Sequence, residues 1–469
     1  MKLRRRLRRK LTLFSAWSLA FGCVIGWGSF VMPGTTFLPK AGTLGTLIAM
    51  EISAFMMLVI SYNYAYMIRK FPVSGGQFIY AGRAFGKVHG FICAWFLSLS
   101  YICIIPLNAT GLALIFRAVS GDLLQFGFHY IFAGYDIYLG EILLSVSVLL
   151  VFAYIGTYSI NITGRIQAFL VLLLLLGVLI LLAGGVISPE SSSKNLMPFF
   201  SPEGNVLSQI IAIVVIGPFA FVGFDIVPQL SEESDFSQDR AKTIMDTSIL
   251  CGCFVYIALS LVAASVVPEG YSVWPEYVND LDTLKGIESI PVFYSAREYF
   301  GDSGILIVVI AALSAMLTGV LGFYTATSRL LYSMAREKMI PSYFRKLNDR
   351  GSPVKAILFC MSISLLAPFI GRNALSWAVN MSSVGAAISF GYTSLAAMKF
   401  SRIEGRMDIM IFGVLGFILS MIFTLLLLVP IPSLDCSLDL PSYILLILWS
   451  VLGAEFFSRS QIMNRRKGA

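Results

Sequence analysis

The stretch GCVIGWGSFVMPG, Gly22–Gly34, lies inside an apolar run long enough to cross a bilayer, yet it carries four glycines and a proline. Glycine in a helix interior costs about 0.5–1 kcal/mol relative to alanine. Proline removes one hydrogen bond and collides with the preceding turn. A helix written this way stops partway through its span. A second stretch of the same kind, GPFAFVGFDIVPQ (Gly217–Gln229), interrupts another apolar run.

The whole chain supplies the setting. Its 469 residues are 57% hydrophobic and only 13% charged, with mean hydropathy +0.82. A soluble domain carries roughly 25% charged residues, so the composition requires an integral membrane protein embedded in lipid. Barrel strands would be about 10 residues of alternating polarity. Runs such as VLLLLLGVLILLAGG (Val171–Gly185) are continuous and therefore helical. The net charge of +8 lies in loops and tails, where orientation in the membrane explains it without a nucleic-acid partner. Of seven cysteines only Cys436 is expected in an outer loop, and no CxxC is present. Cys251 and Cys253 read as packing residues, and His89 and His129 are isolated, so no disulfide, metal site or cofactor is expected. The opening MKLRRRLRRK lacks a following small-residue cleavage site and reads as a retained cytoplasmic tail.

Polar and Pro/Gly-rich breaks divide the chain into twelve expected spans: 11–32, 43–68, 87–118, 137–157, 165–187, 207–230, 244–267, 303–334, 353–371, 376–399, 407–430 and 441–457. The tail before the first holds seven Lys/Arg, and Arg459, Arg465, Arg466 and Lys467 follow the last. Both termini are thus expected to be cytoplasmic, in agreement with an even number of spans. The basic 336–355 loop and the acidic 269–302 loop fall on opposite sides. The acidic SEESDFSQDR (Ser231–Arg240) is expected inside, where acids weigh little in the rule.

In lipid every backbone N–H and C=O must be satisfied, so a broken helix belongs beside protein or a wet cavity. Breaks at matching places in two halves of a chain point to a transporter's binding site. A break at Gly26–Trp27–Gly28 exposes the N-terminus of a half-helix, whose free N–H groups favour a carboxylate. A break near Phe219–Gly223 frees carbonyls that accept from an ammonium. A small zwitterion satisfies both, and an α-amino acid is the obvious one. Glycine-rich spans also pack helices closely, which is the competing reading of either stretch alone.

These motifs resemble the amino acid–polyamine–organocation (APC) superfamily of permeases. The first-helix signature matches Gly22, Ile25, Gly26, Gly28 and Phe30; the turn before the third helix matches PVSGGQFIY (Pro72–Tyr80). The sixth-helix pattern matches Phe219–Asp225 with Glu232–Glu233, and the end of the eighth matches SRLLYSMAREKMIP (Ser328–Pro341) followed by GSPVKA (Gly351–Ala356). The resemblance implies an all-α membrane protein with a leucine-transporter-type 5+5 inverted repeat. Repeat one would cover 11–187 and repeat two 207–399, with two further helices at 407–457 between tails at 1–10 and 458–469. It also implies a substrate carboxylate at the backbone of Gly26, Trp27 and Gly28 within the segment Val24–Gly28, which includes Ile25. The amine would meet carbonyls near Val24, Phe219 and Val222 in the segment that includes Ala220 and Gly223. Phe219 resembles the gating aromatic, and Phe323 is either a side-chain contact or packing. Specificity would come from helices three, six, eight and ten.

Three departures from the family pattern matter. Trp27 replaces a commonly small residue, so it either reshapes the pocket or packs on a neighbour. Tyr66 stands where a glutamate is common. Leu174 stands at the fifth-helix position where proton-coupled members often carry lysine, and that helix has no ionisable residue after Arg165. Exchange or Na+ coupling is therefore expected at least as readily as H+ symport. Two carboxylates lie inside expected spans, where charge is costly. Asp225 would bind a cation, relay a proton or hold two halves together; Glu51 would make a buried hydrogen bond or serve function. Ser314 and Thr318, four apart, would serve a sodium site or bond back to their own helix.

The expected function is transport of amino acids across the cell membrane by an alternating-access permease or exchanger. A polyamine or organic-amine permease and a non-transporting receptor on the same scaffold are the alternatives. An enzyme would need a clustered nucleophile, metal set or carboxylate pair, and the chain offers none, so no catalytic residue is expected.

Overall fold

The computed structural model describes residue 7, residues 10–431 and residues 437–466, with side chains to 462. Cys436, the tail residues before Leu7, and Lys467 lie outside the described residues, as do the side chains of Arg465 and Arg466.

The first expected span is two helices, α1 (Leu13–Val24) and α2 (Trp27–Met32). Thr12 starts α1, its hydroxyl accepting from the Ser15 N–H at 3.3 Å. A π-turn at Pro33–Phe37 leads into α3 (Leu38–Lys70), kinked where Gly42 takes φ +70°. The short α4 (Gly76–Phe85) precedes α5 (Lys87–Ser120), which is followed by the hairpin β1 (His129–Phe132) and β2 (Tyr135–Tyr138), paired antiparallel. Next come α6 (Leu139–Gly156) and α7 (Ile160–Ile187).

The sixth expected span is in pieces. α8 (Val206–Val214) and α9 (Gly217–Phe221) precede a 3-10 segment at Phe224–Leu230. Then follow α10 (Arg240–Ser265), the short α11 (Trp274–Asn279) and α12 (Pro291–Phe300), and the long α13 (Asp302–Arg336). The chain ends in α14 (Val354–Ser364), α15 (Asn373–Ile403), α16 (Met407–Leu428) and α17 (Leu440–Arg466).

Among the described residues, eight helical runs are long and apolar enough to cross a membrane. The other expected spans fall short for visible reasons. α1 has 12 residues and α8 only 9, because the chain breaks. The ninth is a short apolar helix, Val354–Phe369. The tenth, α15, is 31 residues long, but its buried face carries Ser382, Ser383, Ser389, Thr393 and Ser394. Small and hydroxyl side chains let helix backbones approach closely inside a bundle, so α15 packs against α5 and α16 rather than facing lipid.

Burial separates centre from rim. The apolar window of the run Lys87–Leu124 is 83% buried, whereas that of Leu440–Ile462 is 17% buried. α17 is held to the bundle by Trp449, whose ring stacks on Trp95 of α5 with centroids 4.6 Å apart. Each indole N–H donates to the other residue's carbonyl, at 2.8 and 3.1 Å.

Candidate substrate site

The two breaks meet in space. Between α1 and α2 only Ile25 and Gly26 leave the helical region, Gly26 at φ −141° and ψ −152°. The break therefore falls one to two residues before the expected Gly26–Trp27–Gly28. Trp27 and Gly28 instead form the first turn of α2, where N–H groups lack intrahelical partners anyway. In the sixth span the chain turns at Val222–Gly223, with Gly223 at φ +130°. A Cβ on Gly223 would lie 2.6 Å from the Cys23 carbonyl carbon and 2.7 Å from the Val24 N. Only glycine admits both the left-handed backbone and this contact, so Gly223 brings one broken segment against the other.

A cavity of about 20 Å³, counted as room for the centres of water molecules, lies at this junction. The first span contributes Cys23, Val24, Gly26, Trp27 and Gly28; the sixth contributes Phe219 and Val222. Ile104, Leu107 and Asn108 of α5 and Tyr256 of α10 complete the wall. Six of the expected site residues thus line one space. Ile25, Ala220 and Gly223 are buried just behind it. Phe323 lies outside the wall, buried against Tyr101 with ring centroids 5.4 Å apart. The wall draws on the first, third, sixth and seventh spans, and the expected contributions of the eighth and tenth are absent from it among the described residues. Asn108 and Tyr256 were not singled out from sequence. A lone asparagine two residues after Pro106 in an apolar helix was the available signal for the first.

Backbone groups at the junction divide into spent and unspent. The Trp27 N–H donates to Asn108 Oδ1 at 2.9 Å, and the Ser29 N–H to the Gly26 carbonyl at 3.2 Å. The Gly28 amide has no partner among the described residues. On the other side, the Phe219 carbonyl already accepts from the Val222 N–H at 3.3 Å, while the Val24 carbonyl has only a 3.5 Å contact from the Tyr256 hydroxyl. Trp27 does both things its position allowed. It lines the cavity and lays its ring over Gly111 of α5, where a Cβ would come within 2.3 Å. Its Nε1 is buried without a partner among the described residues.

Asp225 sits just past the sixth-span break, fully buried. Its Oδ1 accepts from the Gly223 N–H at 3.0 Å; Oδ2 accepts from the Tyr101 hydroxyl at 2.7 Å and Gln77 Nε2 at 3.1 Å. The carboxylate therefore ties the break to α4 and α5. Thr318 joins α13 to α1, its hydroxyl lying 2.9 Å from the Gly22 carbonyl and 2.7 Å from that of Ala315. Gln167 Nε2 of α7 donates to the Thr318 carbonyl at 3.0 Å. Ser314, buried one turn earlier, takes no part in that junction. Glu51 departs from expectation: it lies on the exposed side of α3 beside Ile52 and Phe55, so the buried hydrogen bond foreseen for it is not made. Leu174 is buried and apolar.

Away from the site, Tyr66 and Lys70 both donate to Glu404, Tyr66 at 2.7 Å. The Lys70 bond, then the Tyr66 hydroxyl, hold the Glu404 carboxyl below its usual range.

These features define a helical membrane protein with two interrupted helices abutting at a small shared cavity. The chain matches the amino acid permease family model over residues 11–452, nearly its whole length, and belongs to that family. It is 25% identical over 399 residues to a methylthioribose transporter of Bacillus subtilis, covering 81% of this chain and 79% of that one. It is 25% identical over 409 residues to a branched-chain amino acid permease of the same organism, covering 84% and 82%. To the human large neutral amino acids transporter small subunit 2 it is 26% identical over 373 residues, covering 77% and 64%.

Proposed function

We propose that this protein is a secondary transporter that carries amino acids across the cell membrane by alternating access. Twelve spans, the first ten in two inverted groups of five and both ends cytoplasmic, are the arrangement that suits this reading. One observation carries it: Gly223 seats the sixth-span break directly on Cys23–Val24, so the unpaired Gly28 amide and the weakly held Val24 carbonyl of the first span share one cavity with Phe219 and Val222 of the sixth. The Gly26–Gly28 amides receive the carboxylate and the Val24 and Val222 carbonyls the ammonium, with Phe219 closing over the pair. Two of the related proteins are named as amino acid carriers, which supports the substrate class.

For coupling, the absence of an ionisable side chain at Leu174 argues against a lysine-based proton switch. The oxygens of Gly22, Ala315 and Thr318 converge between α1 and α13, and a hard cation takes oxygen ligands. Sodium coupling or substrate exchange follows, with Ser314 and Thr318 as the nearest hydroxyls. Asp225 serves as the tie that holds the break.

The test is uptake of a labelled amino-acid panel into proteoliposomes holding the full-length protein, with and without internal counter-substrate and under imposed Na+ or H+ gradients. At least one amino acid should accumulate. Gly28→Val, whose Cβ would lie 3.0 Å from Met32 Sδ and 3.3 Å from the Phe219 ring, should reduce uptake at least tenfold in a folded protein. Ligand bound without flux would point to a receptor, and unchanged uptake by Gly28→Val would remove the site.

A further inference from the structure

The first-turn amide offered to a substrate carboxylate is already in use. Asn108 is 1% exposed, and its Oδ1 holds the Trp27 N–H at 2.9 Å while its Nδ2 donates to the Ile104 carbonyl at 3.0 Å. Two glycines make the slot in which this carboxamide lies. A Cβ on Gly26 would come within 2.7 Å of Oδ1, and one on Gly319 of α13 within 2.6 Å of Nδ2. A carboxamide oxygen is the neutral counterpart of a carboxylate oxygen, and here it accepts from the amide that a substrate carboxylate would take.

A cavity of about 20 Å³ holds roughly one water. An amino acid needs more room, so part of the wall must move when one binds. The Asn108 side chain is the wall group that both occupies a substrate donor and can leave by rotation about its own bonds. The remaining wall offers no acidic or basic partner for a charged group: Val24, Ile104, Leu107 and Val222 are aliphatic, Phe219 and Trp27 are aromatic, and Cys23 and Tyr256 bring one thiol and one hydroxyl.

We propose that the Asn108 carboxamide is a built-in, displaceable stand-in for the substrate carboxylate, and that the site takes α-amino acids with small, neutral, apolar side chains. The proposal rests on the amino-acid reading above. Binding exchanges one hydrogen bond for another at the Trp27 amide: the amide passes from Oδ1 to the incoming carboxylate. Affinity is therefore set partly by how firmly Asn108 holds its place. A charged side chain on the substrate would be buried against an apolar wall without a partner, which selects against cationic and acidic amino acids.

The experiment is equilibrium binding of leucine, valine, lysine, glutamate, putrescine and 3-methylbutylamine to the full-length protein in nanodiscs, for wild type, Asn108→Ala, Asn108→Asp and Gly319→Ala. Wild type should bind leucine or valine at least about 100-fold tighter than lysine, glutamate or putrescine. Removing the competitor in Asn108→Ala should tighten leucine binding about tenfold, the scale of one hydrogen bond that need not be exchanged. Gly319→Ala, which crowds the carboxamide without removing it, should shift leucine the same way. Asn108→Asp places a fixed carboxylate on the amide. It should weaken leucine at least about 100-fold and should bind 3-methylbutylamine, which lacks a carboxylate, better than wild type does.

Leucine binding that is weaker or unchanged in Asn108→Ala overturns the stand-in, as does Asn108→Asp with wild-type affinity for leucine. Lysine or putrescine bound as well as leucine overturns the substrate class. Should Asn108→Ala not fold, Gly319→Ala and Asn108→Asp decide by the same directions. Wild-type protein that binds no amino acid at all would overturn the transport reading itself, and this proposal with it. A normal wild-type response with silent variants overturns only the proposal.

Discussion

Asp225 shows how a charge survives inside an apolar bundle. Three donors aim at its carboxylate: the Gly223 N–H at one oxygen, Tyr101 and Gln77 at the other. A carboxylate accepts all three, and no proton has to be found for it locally. Asparagine has the same shape but presents one oxygen and one NH2 group. Keeping its oxygen toward Tyr101 and Gln77 sets NH2 against the Gly223 N–H, donor to donor. Hydrogen bonds to charged groups contribute about 1.5–3 kcal/mol, and a buried unsatisfied donor costs a similar amount. Asp225→Asn should therefore lower the thermal midpoint by several degrees and reduce uptake at least tenfold, because the lost bond is the one that fixes the left-handed turn at Gly223. A variant with the wild-type midpoint and uptake within twofold would show that the carboxylate does not hold the break. The sequence exposed Asp225 as a charge in a span, but its partners on α4 and α5 are 148 and 124 positions away and could be read only from the folded chain.

Among the elements, the breaks were legible because glycine and proline act through local backbone geometry. Gly26, Pro33 and Gly223 disrupt helix wherever the chain goes. The wall of the cavity was less so. Asn108 and Tyr256 face it because of how α5 and α10 are rotated, and that rotation is set by packing over their whole length. The exposure of Glu51 was illegible for the same reason: a carboxylate in an apolar run says nothing about which side of α3 it occupies. The polarity of α15 likewise becomes intelligible only once its serines are seen buried against neighbouring helices. At the rim, α17 is only lightly buried, so the Trp95–Trp449 pair should dominate its attachment. Large-to-small substitution of a buried aromatic costs about 3–5 kcal/mol. Trp449→Ala should lower the thermal midpoint while leaving substrate affinity within twofold, since no described residue of α17 lines the cavity. Affinity falling in step with stability would mean that α17 supports the site through α5.

At the scale of the whole molecule, the cavity is sealed on the side where the chain begins. The Lys10 and Leu11 N–H groups donate to the Glu233 carbonyl at 2.9 and 3.0 Å, and the Asp235 N–H donates to the Leu11 carbonyl at 3.0 Å. These bonds join the start of the first broken segment to the end of the sixth. The Glu233 carboxylate is gripped by Arg329 of α13 at 2.9 and 3.2 Å, with side chains 3% and 2% exposed. Glu232 pairs with Arg336 at 2.7 Å and accepts from the Ser74 N–H at 3.1 Å, adding the turn before α4. The outer pair is partly exposed and screened by solvent, whereas the inner one is buried. Removing one partner of a buried pair costs about 3–5 kcal/mol because the other charge is left uncompensated, and removing both is often close to neutral. Alternating access requires this face to open, and opening hydrates Glu233. Arg329→Ala should thus shift the balance toward the open form on this side about 100-fold for each 2.7 kcal/mol by which the sealed form is raised. Cys23, which lines the cavity, is the reporter in a protein whose other six cysteines are replaced. A membrane-impermeant thiol reagent applied from the sealed side should modify it much faster in Arg329→Ala than in the parent. In the Arg329→Ala/Glu233→Ala double variant the rate should fall back toward the parent, since no stranded charge remains to favour opening. Equal rates in parent and single variant would mean that the pair stabilises the fold without governing which side is open.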